Sequence, residues 1–423
     1  MRAYKNIVIG GGITGLSFAN FAKDCMVLEK EREVGGYCRT IYRASYIWDY
    51  AGHFFHFKEQ ESKRYFEKVF DGQGLISKSK NTKIYYKGQL IDYPFQSNIQ
   101  QLEKEEFIEC LCDLYQAEQH RDRNQNGYRS FEEMLYEKFG RGICSKFLIP
   151  YNEKIYACNL QNLDTDAMGR FFPYVNFHDV MNHISGEHIT SYNDTFIYPR
   201  LGAAVFINYL SGKIPEDRIR TDCQVKKIDV RKHVVYTDDT EYEYENLIGT
   251  IPLNHLVDLL GKEYDKDVFS YNKVLVLNMG FDKPSIDKTL DWIYIPDKDI
   301  NFYRVGFYNN ILGMEELSIY VEIGYGQDEE IDVEQAKRDT LTNLHEIGII
   351  TDHILVDYEP ILMSPAYVHI SPKANALKEE IFKDLEENNI YSIGRYGGWT
   401  YCSMEDCFLE ARALANGLNS KRI

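Results

Sequence analysis

The sequence predicts an α/β protein, with a Rossmann-like nucleotide-binding unit first, a helical stretch after it, and an antiparallel sheet forming a second domain. Three observations carry this. Residues 6–9 form a short β-branched run of the kind that makes a buried parallel strand, and a glycine cluster follows at once. Across residues 98–157 the apolar positions recur at helical spacing. Across residues 273–326 apolar and polar residues alternate in several runs, separated by Asp282-Lys283-Pro284 and Pro296-Asp297.

In the first unit, Gly10, Gly12 and Gly15 have G-x-G-x-x-G spacing. The first glycine allows a sharp turn, the second lets backbone N–H groups approach a pyrophosphate, and the third lets the next helix sit close to the strand. Residues 16–24 read as that helix, with Ala19 and Ala22 keeping its sheet-facing side small, and residues 25–28 as the second strand. Glu29 ends that strand, where a carboxylate accepts hydrogen bonds from a ribose diol. Glycine clusters alone also make ordinary turns, but the strand, helix and acid around this one point to a dinucleotide. A glycine pair and a polar segment follow: Val34, Gly35, Gly36, Tyr37, Cys38, Arg39 and Thr40.

At 423 residues the chain has room for two or three domains, and 44% hydrophobic with 27% charged residues describes a globular protein. A net charge of −17, with no basic run to offset it, argues against a nucleic-acid partner. The nine cysteines form no C-x-x-C pair, and Cys110 and Cys112 point apart on a helix, so reduced thiols are expected. No apolar run approaches the roughly twenty residues of a membrane span. The first strand begins by Asn6, which leaves no room for a signal peptide; a cytoplasmic protein with a small-molecule substrate is expected.

Residues 47–57 carry His53-Phe54-Phe55-His56 without the carboxylate or cysteine cluster that a metal site needs. A short amphipathic helix over residues 62–70 and a hairpin over 83–93, turning at Lys87-Gly88, come next, then Tyr93-Pro94-Phe95. In the helical stretch Ile99, Leu102, Phe107, Leu111 and Leu114 mark one face, and residues 121–128 are a polar break. Ser130 and Glu133 form a capping box, and Gly140 closes that helix. Residues 150–156 read Pro-Tyr-Asn-Glu-Lys-Ile-Tyr. Residues 333–348 and 375–387 read as amphipathic surface helices, with an extended piece over 354–370 between them. On the strand around residue 304, period-2 geometry puts Phe302, Arg304 and Tyr308 on one face; a lone strand arginine is usually solvated or paired. The chain ends with Gly394-Arg395-Tyr396-Gly397-Gly398-Trp399-Thr400-Tyr401, and Ser403-Met404-Glu405-Asp406 opens a last helix.

Together these segments resemble the UDP-galactopyranose mutases, among the FAD-dependent oxidoreductases of the amine-oxidase and protoporphyrinogen-oxidase type. The resemblance implies FAD. It also implies a discontinuous FAD-binding domain (residues 1–97, 205–260 and 388–423), a mainly helical domain (98–204) and an antiparallel-sheet substrate domain (261–387), with the active site where they meet. The cofactor would be held by Gly10, Gly12, Gly15, Glu29, Gly35, Gly36, Thr40, Val225 through its backbone amide, Gly394 and Arg395. His56, more than His53, would contact the flavin ring, and the amide at Met404 or Glu405 would face its pyrimidine edge. Tyr151 takes the family position that stacks on uracil, and Tyr156 stands where the family has tryptophan. Arg304 and Tyr401 take positions that hold the substrate diphosphate, and with His56 they are the candidate catalytic residues.

The chain departs from the family at Pro173-Tyr174-Val175, which lacks an arginine, with Arg170 and Arg200 the nearest. Glu405 also replaces an aspartate. The resemblance implies a mutase-like flavoenzyme acting on a nucleotide-activated sugar, a UDP-sugar, in surface polysaccharide synthesis, with reduced flavin as nucleophile. Its rivals are an oxidase or desaturase in which oxidised flavin takes hydride, and a non-catalytic FAD-binding subunit.

Overall fold

The first strand, β1 (Arg2–Ile9), is buried over its last four residues, the run that marks it in the sequence. It pairs in parallel with β2 (Cys25–Leu28) on one side and with the strand Glu241–Gly249 on the other. The computed structural model describes residues 2–43, 45–70, 74–120, 127–186 and 194–420; within the expected polar break, residues 121–126 lie outside these. Between β1 and β2 runs α1 (Ile13–Phe21), which begins earlier than its apolar pattern predicts because Gly12 is itself the extended N-cap. At Gly15 an added Cβ would lie 2.0 Å from the Gly10 carbonyl oxygen, so only glycine lets α1 approach β1 this closely. The late strand Ile390–Ser392 pairs in parallel with the carboxyl half of Glu241–Gly249, which brings the end of the chain back to the first sheet.

The second sheet has the order Leu355–Met363, Asn272–Phe281, Ser318–Gly326, Arg304–Phe307, Trp292–Tyr294, Thr82–Tyr86, Gln89–Asp92. Its long strands pair antiparallel, as alternation predicts. The hairpin turns at Lys87-Gly88 as expected, yet it joins this second sheet, and Thr82–Tyr86 runs parallel to Trp292–Tyr294. Residues 82–92 thus extend the second sheet although they lie in the segment read with the nucleotide-binding unit.

The helical stretch contains Lys104–His120, Phe131–Ile143 and Ile149–Tyr156. The Ser130 hydroxyl accepts the Glu133 N–H at 3.1 Å, but the Glu133 carboxylate reaches the N–H of Arg129 and not that of Ser130, so the capping box is shifted by one residue. Gly140 (φ 74) closes the first helical run as expected, a second short run continuing past the kink to Ile143, and a Cβ there would come 2.7 Å from the Asp113 backbone. Around Arg304 the period-2 expectation fails in part. The strand spans only Arg304–Phe307, so Phe302 packs into the opposite apolar cluster, and Tyr308 reaches the inner side from a short helix.

One buried residue links the second sheet to the segments that pack beside it. Asp49 is fully buried; its Oδ1 accepts from Thr40 Oγ1 (2.5 Å) and the Ala203 N–H (3.1 Å), and its Oδ2 from the Tyr198 hydroxyl (2.7 Å). Ala203 caps the helix Ala204–Gly212, where a negative charge is favoured. The Asp49 carbonyl accepts from Asn278 Nδ2 (3.0 Å) and the Tyr308 hydroxyl (3.4 Å), both in the second-sheet half. Burial pushes the Asp49 carboxyl up to about 6, against the pull of these donors. Replacing Asp49 with alanine strands three buried donors. The variant is expected to lose about 3 kcal/mol in urea unfolding, and Tyr198→Phe, which removes one donor, about 1.5 kcal/mol or less.

Candidate active site

The glycine turn and the glycine pair are built against each other. The Gly35 N–H donates to the Gly11 carbonyl at 2.8 Å, and an added Cβ at Gly36 would lie 3.4 Å from the Gly12 Cα. Glu29, 6% exposed at the end of β2, accepts the Gly11 N–H at 2.7 Å and the Glu31 N–H at 2.9 Å. Around Gly12 there is room: a Cβ there would meet nothing within 4 Å. From the far end of the chain Gly394 packs on α1, its hypothetical Cβ 2.4 Å from Thr14 Oγ1. Arg395 follows, donating from Nη1 to the Cys402 carbonyl at 2.8 Å with its guanidinium 4.6 Å above the Tyr401 ring.

The last helix, Met404–Ser420, opens with a complete capping box. Ser403 Oγ accepts the Asp406 N–H (3.1 Å), and Asp406 Oδ2 accepts the Ser403 N–H (2.8 Å). Glu405, 3% exposed, turns its carboxylate onto the N–H groups of Lys58 (2.8 Å) and Glu59 (2.9 Å). It fastens the histidine-bearing segment to this helix.

A cavity of about 260 Å³ lies where these parts face the second sheet and the helical stretch. His56, Lys80, Tyr151, Arg304, Tyr401 and Met404 are in its walls, with aromatic rings between them. The helix Ile149–Tyr156 turns Tyr151 and Ile155, one turn apart, to the cavity. Tyr156 therefore falls on the adjacent face, where it is fully buried and donates to the Ala167 carbonyl at 3.2 Å; the expected substrate contact is a core contact. Thr40 is likewise engaged elsewhere, between Asp49 and the Ala204 N–H. Val225 is buried at a register shift opposite Thr237. Arg170 Nη2 donates to Asp406 (2.6 Å) and Arg200 Nη1 to the Leu312 carbonyl (2.9 Å), and neither lines the cavity, so neither stands in for the missing arginine.

Arg304 is paired. Its Nη2 lies 2.6 Å from both oxygens of Glu322, which is 1% exposed and also accepts the Tyr303 hydroxyl at 2.6 Å. Burial alone would lower this guanidinium, but Glu322 and the surrounding tyrosines hold it well above its ordinary range. Its Nε is buried with no partner among the described residues, and so is His53 Nδ1. His56 Nδ1 lies 3.0 Å from the Thr195 carbonyl, which can only accept, so Nδ1 carries the proton and Nε2 is left as an acceptor. Burial pushes both imidazoles down to about 4, His53 further disfavoured by Arg395 and Arg304.

Sequence reasoning did not find Lys80, Glu322 or Asp49. Glu322 had a readable signal, an acid inside the apolar run Ile319–Ile323. Lys80 had none. Among the described residues no group of three or more His, Cys, Asp or Glu could hold a metal ion, and no helix is long and apolar enough to cross a membrane.

The open space at Gly12, the acid at the end of β2 and the orphaned His53 nitrogen beside two arginines fit a flavin dinucleotide. Fold and cradle together define a flavoprotein with a Rossmann-type nucleotide cradle and a second sheet facing it across the cavity. The chain belongs to the flavin containing amine oxidoreductase family, whose model matches residues 15–419. It is a FAD-dependent enzyme of oxidoreductase type.

Among solved structures it is similar to a reduced UDP-galactopyranose mutase, at 23% identity, 100% of this chain, 95% of that one and a TM-score of 0.90. It is also similar to a protoporphyrinogen oxidase-like protein from Exiguobacterium sp. (15% identity, 99% of each chain, TM-score 0.78). A third is a cyclohexylamine oxidase from Brevibacterium oxydans (10% identity, 98% of each chain, TM-score 0.71).

Two outcomes follow from this geometry. Gly12→Val places its side chain in open space, so the variant is expected to keep the wild-type circular dichroism spectrum but purify without FAD absorbance. A yellow Gly12→Val protein would contradict the cradle. His56 has a folded pKa of about 4 against an ordinary 6.5, so it favours the folded state above about pH 6.5 and loses that contribution as pH falls toward 4. Wild-type stability should therefore decline more steeply than that of His56→Phe between those limits, as read by thermal unfolding.

Proposed function

We propose that this flavoenzyme is mutase-like: it rearranges a nucleotide-activated sugar, with no net oxidation, in surface polysaccharide synthesis. The observation that carries the reading is the convergence of Tyr151, Arg304, Tyr401 and the start of the Met404–Ser420 helix on one cavity. The full-length likeness to the mutase structure supports it. Segments 1–97, 205–260 and 388–423 would form the FAD-binding unit, 98–204 the helical wall, and 261–387 the substrate sheet; each contributes to the cavity, through His56, Tyr151, Arg304 and Tyr401.

Each residue has a definable task. Tyr151 offers a flat face to the nucleotide base. Glu322 holds Nη2 of Arg304, which leaves Nε and Nη1 for phosphate oxygens and fixes the fork before substrate arrives. Tyr401, which lines the same cavity, would donate its hydroxyl to the same diphosphate. His56, neutral at pH 7, offers Nε2 to a sugar hydroxyl. The N-terminus of the last helix favours negative charge at Met404. FAD, when bound, supplies a ring that acts as nucleophile when reduced and as hydride acceptor when oxidised.

A second reading, hydride transfer to oxidised flavin, is favoured by one observation. Tyr174 stands near the family's other arginine position, 47% exposed, and the cavity's one arginine already has an acid partner.

Calorimetry should show UDP binding to the wild type, with a loss on the order of 2 kcal/mol in Arg304→Ala. Under anaerobic conditions dithionite should switch on sugar isomerisation without consumption of an acceptor. Turnover only with oxidised flavin, matched by peroxide release, would move the chain to the second reading.

A further inference from the structure

Lys80 lines the cavity, and among the described residues no hydrogen bond matches its charge. Its backbone is fixed just past the strand Leu75–Ser79, where its N–H donates to the Asp194 carbonyl at 2.8 Å. Its Nζ lies 4.7 Å from the centre of the Tyr93 ring, and no acceptor among the described residues is within hydrogen-bond distance of it. The carboxylates that act on it do so at longer range. Asp291 is already committed: one oxygen takes Lys78 Nζ at 2.5 Å, the other the Asn81 N–H at 2.7 Å. Asp194, the other acid, opposes the burial that lowers the Lys80 ammonium to about 8, so the group stays largely charged at neutral pH.

The other charged groups of the cavity wall have partners. Arg304 is bound to Glu322, and Glu405 points at two backbone N–H groups. His56 is neutral at pH 7 and leaves only an acceptor nitrogen. A buried ammonium without an acceptor is costly, and an anion from the substrate would remove that cost. The position selects which anion. Lys80 lies over Tyr93, Tyr93 packs on Tyr294 with ring centres 5.3 Å apart, and Tyr294 is the cross-strand neighbour of Arg304, so two rings separate the two cations. The end of the cavity at Lys80 is thus a different place from the one read as holding the diphosphate.

We propose that Lys80 is a specificity-determining residue that receives a carboxylate on the sugar, so that the substrate is a nucleotide-activated acidic sugar. This rests on the reading of the site given above. The test uses FAD-loaded wild type, Lys80→Met and Lys80→Arg, titrated calorimetrically with UDP, UDP-glucose, UDP-glucuronate and free glucuronate.

Wild type should bind UDP-glucuronate about tenfold or more tightly than UDP-glucose, the scale of a charge-assisted hydrogen bond. Lys80→Met should lose that preference while binding UDP and UDP-glucose as wild type does, and Lys80→Arg should keep it. Equal wild-type affinities for the two sugars, or a preference that survives in Lys80→Met, would overturn the proposal and leave the mutase reading standing. A matching loss of UDP binding in Lys80→Met would assign Lys80 to the diphosphate and overturn it too. If UDP does not bind the wild type at all, the nucleotide reading falls alone and free glucuronate decides. Saturable binding that Lys80→Met abolishes upholds the carboxylate site, and binding that is absent or indifferent to Lys80 removes it.

Discussion

The architecture depends on a buried carboxylate that has no part in the cavity. Asp49 gathers a hydroxyl from the strand beside it, a hydroxyl from Thr195–Pro199 and the first free N–H of the helix Ala204–Gly212, while its carbonyl is held from the second sheet by Asn278 and Tyr308. Trp48, one residue earlier, adds an indole hydrogen bond to Ser318 (2.9 Å). A charge buried this deeply is tolerable only when its donors are fixed; Thr40, Tyr198 and the Ala203 N–H hold the carboxylate from one side while the second sheet holds the backbone of the same residue from the other. The peptide that follows, through His53 and His56, therefore leaves this hub on a set course. Phe54 stacks on Trp292 of the second sheet at 5.2 Å, and Glu405 secures Lys58 and Glu59. The histidines are positioned by contacts on either side of them, and His56 also by its own hydrogen bond to the Thr195 carbonyl.

The wall of the cavity shows the same economy of fixed groups. Glu322 both orients Arg304 and takes the Tyr303 hydroxyl, so that a strand with no other charged side chain carries one acid at the point where the fork must be aimed. Tyr151 is set by the turn of its helix, and the same turn removes Tyr156 from the cavity. Neither outcome depends on residue type alone; each follows from which face the backbone presents.

This division explains what could be read from the sequence. The glycine turn, α1, β2 and Glu29 were legible because the strand–turn–helix geometry is local and its spacing is stereochemically required. The hairpin was legible from its turn residues, but not the sheet it joins, because parallel pairing of Thr82–Tyr86 with Trp292–Tyr294 spans about two hundred residues. Arg304 was legible as a candidate and Glu322 as an acid in an apolar run, but their pairing was not, since it is set by the register between two strands. Phe302 was misplaced because alternation was extended past the end of a four-residue strand. Lys80 carried no pattern at all; only the enclosure around it distinguishes it from the many surface lysines.

The packing of residues 394–420 on the glycine turn makes one cradle out of two distant segments. Gly394 sits against Thr14, and Glu410, well into the helix from Met404, accepts the Gly394 N–H. Neither segment makes the cradle alone. Whatever loosens the helix from Met404 therefore also loosens the turn at Gly12, so cofactor retention reports on the joining of the two segments.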